Sequence, residues 1–281
     1  GKSDFPFVWK SAQFGYDGTG VKIVRSAADL EGLAEGQCLV EEMIPFKNEL
    51  SVIVARNESG ETRTYPVVKM EFHPTANQVE FVICPARIDS EVAKKAREIA
   101  LRVADSFGIV GLLAVEMFQT QDDQILVNEV APRTHNSGHH TIEACVTDQF
   151  EQHLRAVLGL PLGETRQLSP AAMVNLLGEP GYEGRPVLHG LRAALGIPGV
   201  CLHIYGKAVT KPGRKMGHVN CLGDSLEQAL EALGLEGRHP RSRGRGGPAH
   251  HPGTAVHQVG PVPHHHRQGR AGAFVRSLGQ A

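Results

Sequence analysis

Two glutamates, Glu116 and Glu129, stand thirteen residues apart in two apolar runs separated by the polar turn 119–123. In a hairpin such residues can lie side by side, and two carboxylates facing one another on a sheet repel unless a cation lies between them. Oxygen ligands of this kind suit magnesium, which takes one or two carboxylates and completes its shell from water and substrate phosphates. The neighbouring Leu112, Ala114, Val115, Leu126 and Val127 predict buried strands, which weighs against two solvated acids on a polar face.

The segment NEVAPRTHNSGHH, residues 128–140, follows at once. A turn that packs Arg133, His135, Asn136 and Ser137 beside the Glu129 carboxylate has the charge to hold an anion against a metal. His135 and His139, four apart, offer a zinc-ligand alternative. Gly138 weakens a helix there, however, and no third nitrogen or sulfur ligand stands at a zinc-like spacing. Upstream, GYDGTG (15–20) places three glycines in six residues at a hairpin tip, where backbone N–H groups can approach a polyphosphate closely. The same glycines serve turn geometry equally well, so the turn taken alone supports both readings. No Gly-Lys-Ser/Thr follows it and no helix starts there, so it is not a Walker sequence. Lys10, at the end of the preceding strand, can supply the charge that a P-loop lysine supplies, or can simply be solvated.

The elements that must position these residues are mixed. Strands at 5–10 and 21–25 flank the glycine-rich turn, Ser26 opens a short helix with capping-box spacing, and 37–43 returns as a strand. Three β-rich runs at 49–55, 63–69 and 78–84 predict an antiparallel meander. Residues 90–107 form the clearest helix, with Val92, Ala96, Ile99, Ala100, Val103 and Phe107 mostly at spacings of three and four. Strands 109–118 and 124–130 carry the two glutamates, and a helix spans 147–158. Residues 168–234 read as a small mixed domain: strand 172–177, helix 188–195, strands 200–205 and 215–222, helix 225–233.

Composition sets the outer limits. With 281 residues, 41% of them hydrophobic, the chain can bury a sizeable core. Its five cysteines are odd in number, scattered and without a C-x-x-C pair, which fits a reduced compartment. No secretory signal and no apolar run of membrane-spanning length is present, so the expectation is a cytoplasmic protein without a membrane partner. The net charge of −1 hides a segregation: residues 237–281 hold seven Arg and no Lys, Asp or Glu, leaving 22 basic against 30 acidic residues before them. An acidic body is a poor nucleic-acid binder.

Taken in order, Lys10, GYDGTG, EEMIPFKNELSV (41–52), the two glutamate strands and NEVAPRTHNSGH resemble the ATP-grasp enzymes over residues 5–235. With YGK (205–207) and GRKMGHVN (213–220), the pattern is most like the branch that carboxylates aminoimidazole ribonucleotide in purine biosynthesis. The resemblance implies an α+β ATP-grasp fold: part of the small lobe at 1–42, the large lobe with the metal site at 43–165 and a small C-terminal domain at 166–236; residues 237–281, dominated by Gly, Pro, Arg and His and without apolar periodicity, are expected to form a disordered tail. It implies that Lys10 contacts the nucleotide phosphates and that Gly15, Tyr16, Asp17, Gly18 and Gly20 belong to a loop folding over them. Glu41 and Glu42 then begin the linker that holds adenine, Glu49 accepts the ribose hydroxyls, Asn128 belongs to the nucleotide site, and Glu116 and Glu129 bind magnesium. Tyr16, Asp17, Arg133, His135, Lys207 and Arg214 match positions used for the ribonucleotide and the bicarbonate-derived group. The implied reaction is attack of bicarbonate on the γ-phosphate of ATP, followed by capture of the carboxyl group by the exocyclic amine.

Family members begin with a further α/β domain, and Gly1-Lys2-Ser3-Asp4 is too short to replace it, so an incomplete enzyme is expected. The tail, rich in Arg, Gly, Pro and His, looks more like DNA read in the wrong frame than a basic or metal-binding module. A non-catalytic remnant that binds MgATP or serves as a partner surface is the rival of a different class, and a homodimer stays open. Another ATP-grasp ligase would keep the metal site, but YGK followed by GRKMGH argues against it.

Overall fold

The computed structural model describes residues 5–13, 20–72 and 79–234. It is a mixed α+β structure built on two antiparallel sheets. In the first, β1 (Phe7–Ser11) lies between β2 (Val21–Val24) and β3 (Cys38–Glu42). Phe7, Trp9 and Val24 form its small core. Ser26 caps a 3-10 turn at Ala27–Leu30, with the Asp29 carboxylate accepting from the backbone of Arg25 and Ser26 at 2.8 and 3.0 Å.

The second sheet begins with β4 (Phe46–Arg56), β5 (Thr62–Thr64), β6 (Val68–Phe72) and β7 (Val79–Cys84). After helix α1 (Ser90–Phe107) come β8 (Gly111–Thr120) and β9 (Ile125–Ala131). Two short helices, α2 (Thr141–Ala144) and α3 (Gln149–Val157), precede β10 (Ala171–Leu177). A single helical turn, α4 (Leu191–Ala194), leads to β11 (Val200–Ile204) and β12 (Lys215–Leu222), and α5 (Leu226–Ala232) closes the described chain. The strand order is β11-β12-β10-β7-β6-β4-β8-β9, with β5 against β4. The sheet therefore runs unbroken from residues before 165 to residues after it, because β10 pairs with β7.

Around β4 and β8 the sheet is covered on both faces, and the run from Leu50 to Ala55 is buried throughout. Alternate residues divide between the faces. Leu50, Val52, Val54, Leu113, Val115 and Met117 meet Val92, Ala96, Ala100 and Ala104 of α1. Ile53, Ala55, Leu112 and Ala114 meet Ala156, Leu162 and Cys145. The alanine stripe lets α1 lie close to the strands; Asp89 caps its start, accepting from Glu91 N–H at 2.8 Å, and Gly108, at φ 57, ends it.

Three expectations need correction. The run 63–69 is two strands, β5 and β6, because Pro66 between them has no N–H for a ladder. The helix expected over 188–195 shrinks to α4, since Gly190 sits in the left-handed region at φ 74 and Gly196 and Pro198 follow. Leu126 and Val127, on opposite faces of β9, are both exposed, because β9 is the edge strand of the sheet among the described residues.

Candidate functional site

The pairing of β8 with β9 sets Glu116 directly opposite Glu129, and that of β4 with β8 sets Ser51 directly opposite Glu116. Residues opposite one another share a face, so Ser51, Glu116 and Glu129 form a row across three strands, with Glu49 two residues along β4 on the same side. The register shifts just beyond Glu116, pairing Met117 with Val127 and leaving Asn128 unpaired. Such an extra residue re-aims its side chain. Asn128 Oδ1 accepts from Lys10 Nζ at 3.0 Å, and the same ammonium lies 2.7 Å from Glu41 Oε2. Lys10 thus joins the small sheet to the glutamate row of the large one.

Burial, and then the Glu129 carboxylate, pushes the Glu116 carboxyl up to about 7, against the pull of Lys215, Arg133 and Lys10. Two neighbouring carboxylates, one of them mostly buried, that disfavour one another's charge are a place where a divalent cation would offset the repulsion. Among the described residues no cluster of three or more His, Cys, Asp and Glu side chains could hold a metal. A cation here would take two carboxylates and would draw the rest of its shell from water and substrate oxygens, a pattern that suits magnesium.

His135 opens a 3-10 turn at Asn136–Gly138, and its Nε2 lies 3.4 Å from Glu116 Oε1. Gln149, at the start of α3, clasps its backbone: Oε1 accepts the His135 N–H at 2.8 Å and Nε2 donates to its carbonyl at 2.9 Å. A Cβ on Gly138 would lie 2.2 Å from Ile53 Cδ1 and 2.6 Å from Gln149 Oε1, so only glycine lets the turn settle onto β4 and Gln149 together. Behind it, Asn136 exchanges hydrogen bonds with Asn175 of β10 at 2.7 and 3.1 Å. The His139 ring stacks on His218 at 4.4 Å and His218 on His203 at 4.5 Å. His139 Nδ1 lies 3.0 Å from Gln149 Nε2. His139 is thus engaged away from His135, and the 3-10 turn does not present the pair as a helical zinc site.

The other expected residues are distributed as follows. Glu42 is exposed at the end of β3 and Gly20 accepts from Ser11 N–H at 2.8 Å. Arg133 is exposed beside the row, its Nη1 donating to the Thr134 carbonyl at 3.0 Å. Lys207 Nζ donates to the Lys215 carbonyl at 2.5 Å, placing it beside β12. Arg214 is held to its own connection, donating to the Val209 carbonyl at 2.7 Å. Gly15, Tyr16, Asp17, Gly18 and the tail at 237–281 lie outside the described residues. Ser51, Lys215 and Gln149 also belong to the site. Ser51 and Lys215 lie within the segments 41–52 and 213–220, but nothing local distinguishes a serine inside a β-run, a lysine opening a strand or a glutamine opening a helix as a site residue.

Residues 2–150 match the model of the ATP-grasp domain, and residues 171–232 match the phosphoribosylaminoimidazole carboxylase C-terminal domain. The chain is 47% identical over 235 residues to an N5-carboxyaminoimidazole ribonucleotide synthase of Bacillus subtilis, covering 81% of this chain and 59% of that protein. A solved N5-carboxyaminoimidazole ribonucleotide synthetase from Thermotoga maritima superposes with a TM-score of 0.73 at 51% identity, over 81% of this chain and 60% of that one. An Aspergillus clavatus N5-carboxyaminoimidazole synthase in complex with ADP and 5-aminoimidazole ribonucleotide superposes at 0.72 with 35% identity, over 82% and 61% of the two chains. The chain thus spans about three-fifths of the length of these relatives.

Proposed function

The chain belongs to the ATP-grasp family, and from that premise we propose that it takes part in the ATP-dependent carboxylation of 5-aminoimidazole ribonucleotide, giving N5-carboxyaminoimidazole ribonucleotide, ADP and phosphate. The observation that carries this reading is the row of Glu116 opposite Glu129, with Lys10, Arg133, His135 and Lys215 gathered about it. Two carboxylates that repel in the absence of a cation, ringed by the cations of Lys10, Arg133 and Lys215, suit a metal-bound polyphosphate. Relatives whose solved structures contain ATP, or ADP with the ribonucleotide, support the choice of substrates.

Glu116 and Glu129 would hold magnesium, which would supply positive charge to offset the charge that develops on the phosphates. Lys10, restrained by Glu41 and Asn128, would bind the phosphates. Glu41 and Glu42 would lead into the adenine linker, and Glu49, on the same face as Glu116, would accept ribose hydroxyls. A bicarbonate oxygen attacks the γ-phosphorus and displaces ADP, forming carboxyphosphate. The ribonucleotide's amine then attacks the carboxyl carbon and expels phosphate. Arg133 and His135 would face the carboxyphosphate, and Lys207 and Arg214 the ribonucleotide, since each intermediate charge is anionic and donors fixed in advance stabilise it without reorganising. Asp17, Tyr16, Gly15, Gly18 and Gly20 would belong to the loop over the phosphates.

Among the described residues no helix is long and apolar enough to cross a membrane and all five cysteines are free, which supports a cytoplasmic setting. A homodimer covering the exposed Phe150, Leu154 and Leu158 belongs to the same proposal. The test is ADP formation by this chain with ATP and magnesium, with and without bicarbonate and the ribonucleotide. ADP release dependent on both supports the reaction. MgATP binding without it leaves a nucleotide-binding module.

A further inference from the structure

His135 is approached from two sides. Its Nε2 faces Glu116 Oε1 at 3.4 Å, and its Nδ1 faces Ser137, with the backbone N–H of Ser137 at 3.3 Å and its Oγ at 2.9 Å. A backbone N–H can only donate, so an Nδ1 that receives it must present a lone pair. The proton of the neutral ring then sits on Nε2. The Ser137 hydroxyl agrees with this assignment, because it has a second partner: Ser51 Oγ lies 2.9 Å away. Ser51 can donate to Ser137, which in turn donates to Nδ1, and every hydrogen bond in the chain has one donor and one acceptor. Both serines are 1% exposed, so no solvent competes for these positions. A ring protonated at Nδ1 would instead point a hydrogen at the Ser137 N–H, and that buried donor would lose its acceptor.

We propose that the buried Ser51–Ser137 hydroxyl pair positions His135 as the neutral tautomer with its proton on Nε2, making it a hydrogen-bond donor toward the anion assembled beside Glu116 and Glu129, and not a general base. The role of the anion rests on the proposed carboxylation; the tautomer does not. Second-partner hydrogen bonds of this sort fix which ring nitrogen acts and where it points. Ser51 contributes from β4 and Ser137 from the turn, so the arrangement depends on the sheet and the turn packing together.

The experiment has two readouts on the full chain. In uniformly 15N-labelled protein at pH 7.5, the His135 ring signals, identified by their loss in His135→Gln, are expected to show a protonated Nε2 and an acceptor Nδ1. A protonated Nδ1 in the wild type overturns the proposal, whether or not any variant folds. In steady-state assays Ser137→Ala should lower kcat about 10- to 100-fold, the range typical of losing an orienting partner, with KM for ATP changed less than about twofold and a mixed tautomer signal. Ser51→Ala should do the same more mildly, and Ser51→Thr, which keeps the hydroxyl, should recover most of the rate. A Ser137→Ala protein with wild-type kcat and an unchanged tautomer also overturns it. A wild-type chain with protonated Nε2 that forms no ADP refutes the carboxylation and leaves the tautomer standing, so the two failures are told apart.

Discussion

Glu129 is the exposed member of the carboxylate pair and Glu116 the mostly buried one, so replacing Glu129 tests metal binding with little effect on packing. Glu129→Ala is expected to weaken magnesium-dependent ATP binding by more than about tenfold, since even outer partners of a metal matter by that factor. Calorimetric titration of wild type and variant with MgATP decides it, and equal affinities would remove the metal from this site. Elsewhere the decisive residues are histidines. Burial holds His140 at about 4, and burial together with nearby cations or rings holds His139 at about 4 and His218 at about 3. A histidine whose folded pKa lies below its unfolded value binds a proton more readily when unfolded, so its contribution is intact above about 6.5 and is lost as pH falls toward the folded value. For His140 alone the loss at pH 5 is about 2 kcal/mol. The melting temperature should therefore fall between pH 7.5 and pH 5, and a flat profile would contradict the burial of this cluster.

At the level of elements, the site depends on how the 136–138 turn seats against β4 and α3. Gly138→Ala pushes a methyl group toward Ile53 Cδ1 and Gln149 Oε1, and overpacking of this kind costs about 1 to 3 kcal/mol. Because Gln149 clasps the His135 backbone, the substitution should lower kcat as well as thermal stability. Denaturant unfolding and initial rates on one preparation test both, and a variant as stable as wild type would show that the turn has slack. The elements themselves were largely legible. Helix α1 spans the expected 90–107 and β12 the expected 215–222, because both carry an uninterrupted pattern. What could not be read was the place of β9 at the sheet edge: its apolar Leu126 and Val127 look like core residues until the neighbour on their far side is known to be missing.

For the whole molecule, the two sheets meet at Lys10, whose ammonium is shared by Glu41 of one and Asn128 of the other. A nucleotide seated there, as proposed, would contact both and would bind the folded state alone. ATP with magnesium at about 100 times its dissociation constant should stabilise by about 2.7 kcal/mol, a rise of about 5 to 10 °C in melting temperature for a folded body of this size. ATP with chelator should give much less, because the Glu116–Glu129 pair then faces phosphate with no cation between. Differential scanning calorimetry under the two conditions is the measurement. Equal shifts would separate nucleotide binding from the carboxylates.

The sequence alone determined the chemistry on offer: two glutamates on neighbouring strands, a lysine ahead of a glycine-rich turn, and a histidine, arginine and serine packed into one turn. Each follows from residue type and short-range spacing, which local backbone geometry converts directly into strands and turns. Only the tertiary structure decided that Glu116 faces Glu129 and not Val127, that Asn128 swings out toward Lys10, and that Ser51 completes the partners of Ser137 and, through it, of His135. Lys10 and Asn128 are 118 residues apart, and Ser51 and Ser137 are 86 apart. Contacts of that span are selected by which strand edges pair and in what register, and a slip of one residue would send every side chain of a strand to the opposite face. No periodicity within a single strand contains that choice, because it is made by the packing of α1, α3 and the 136–138 turn against the two faces of the sheet.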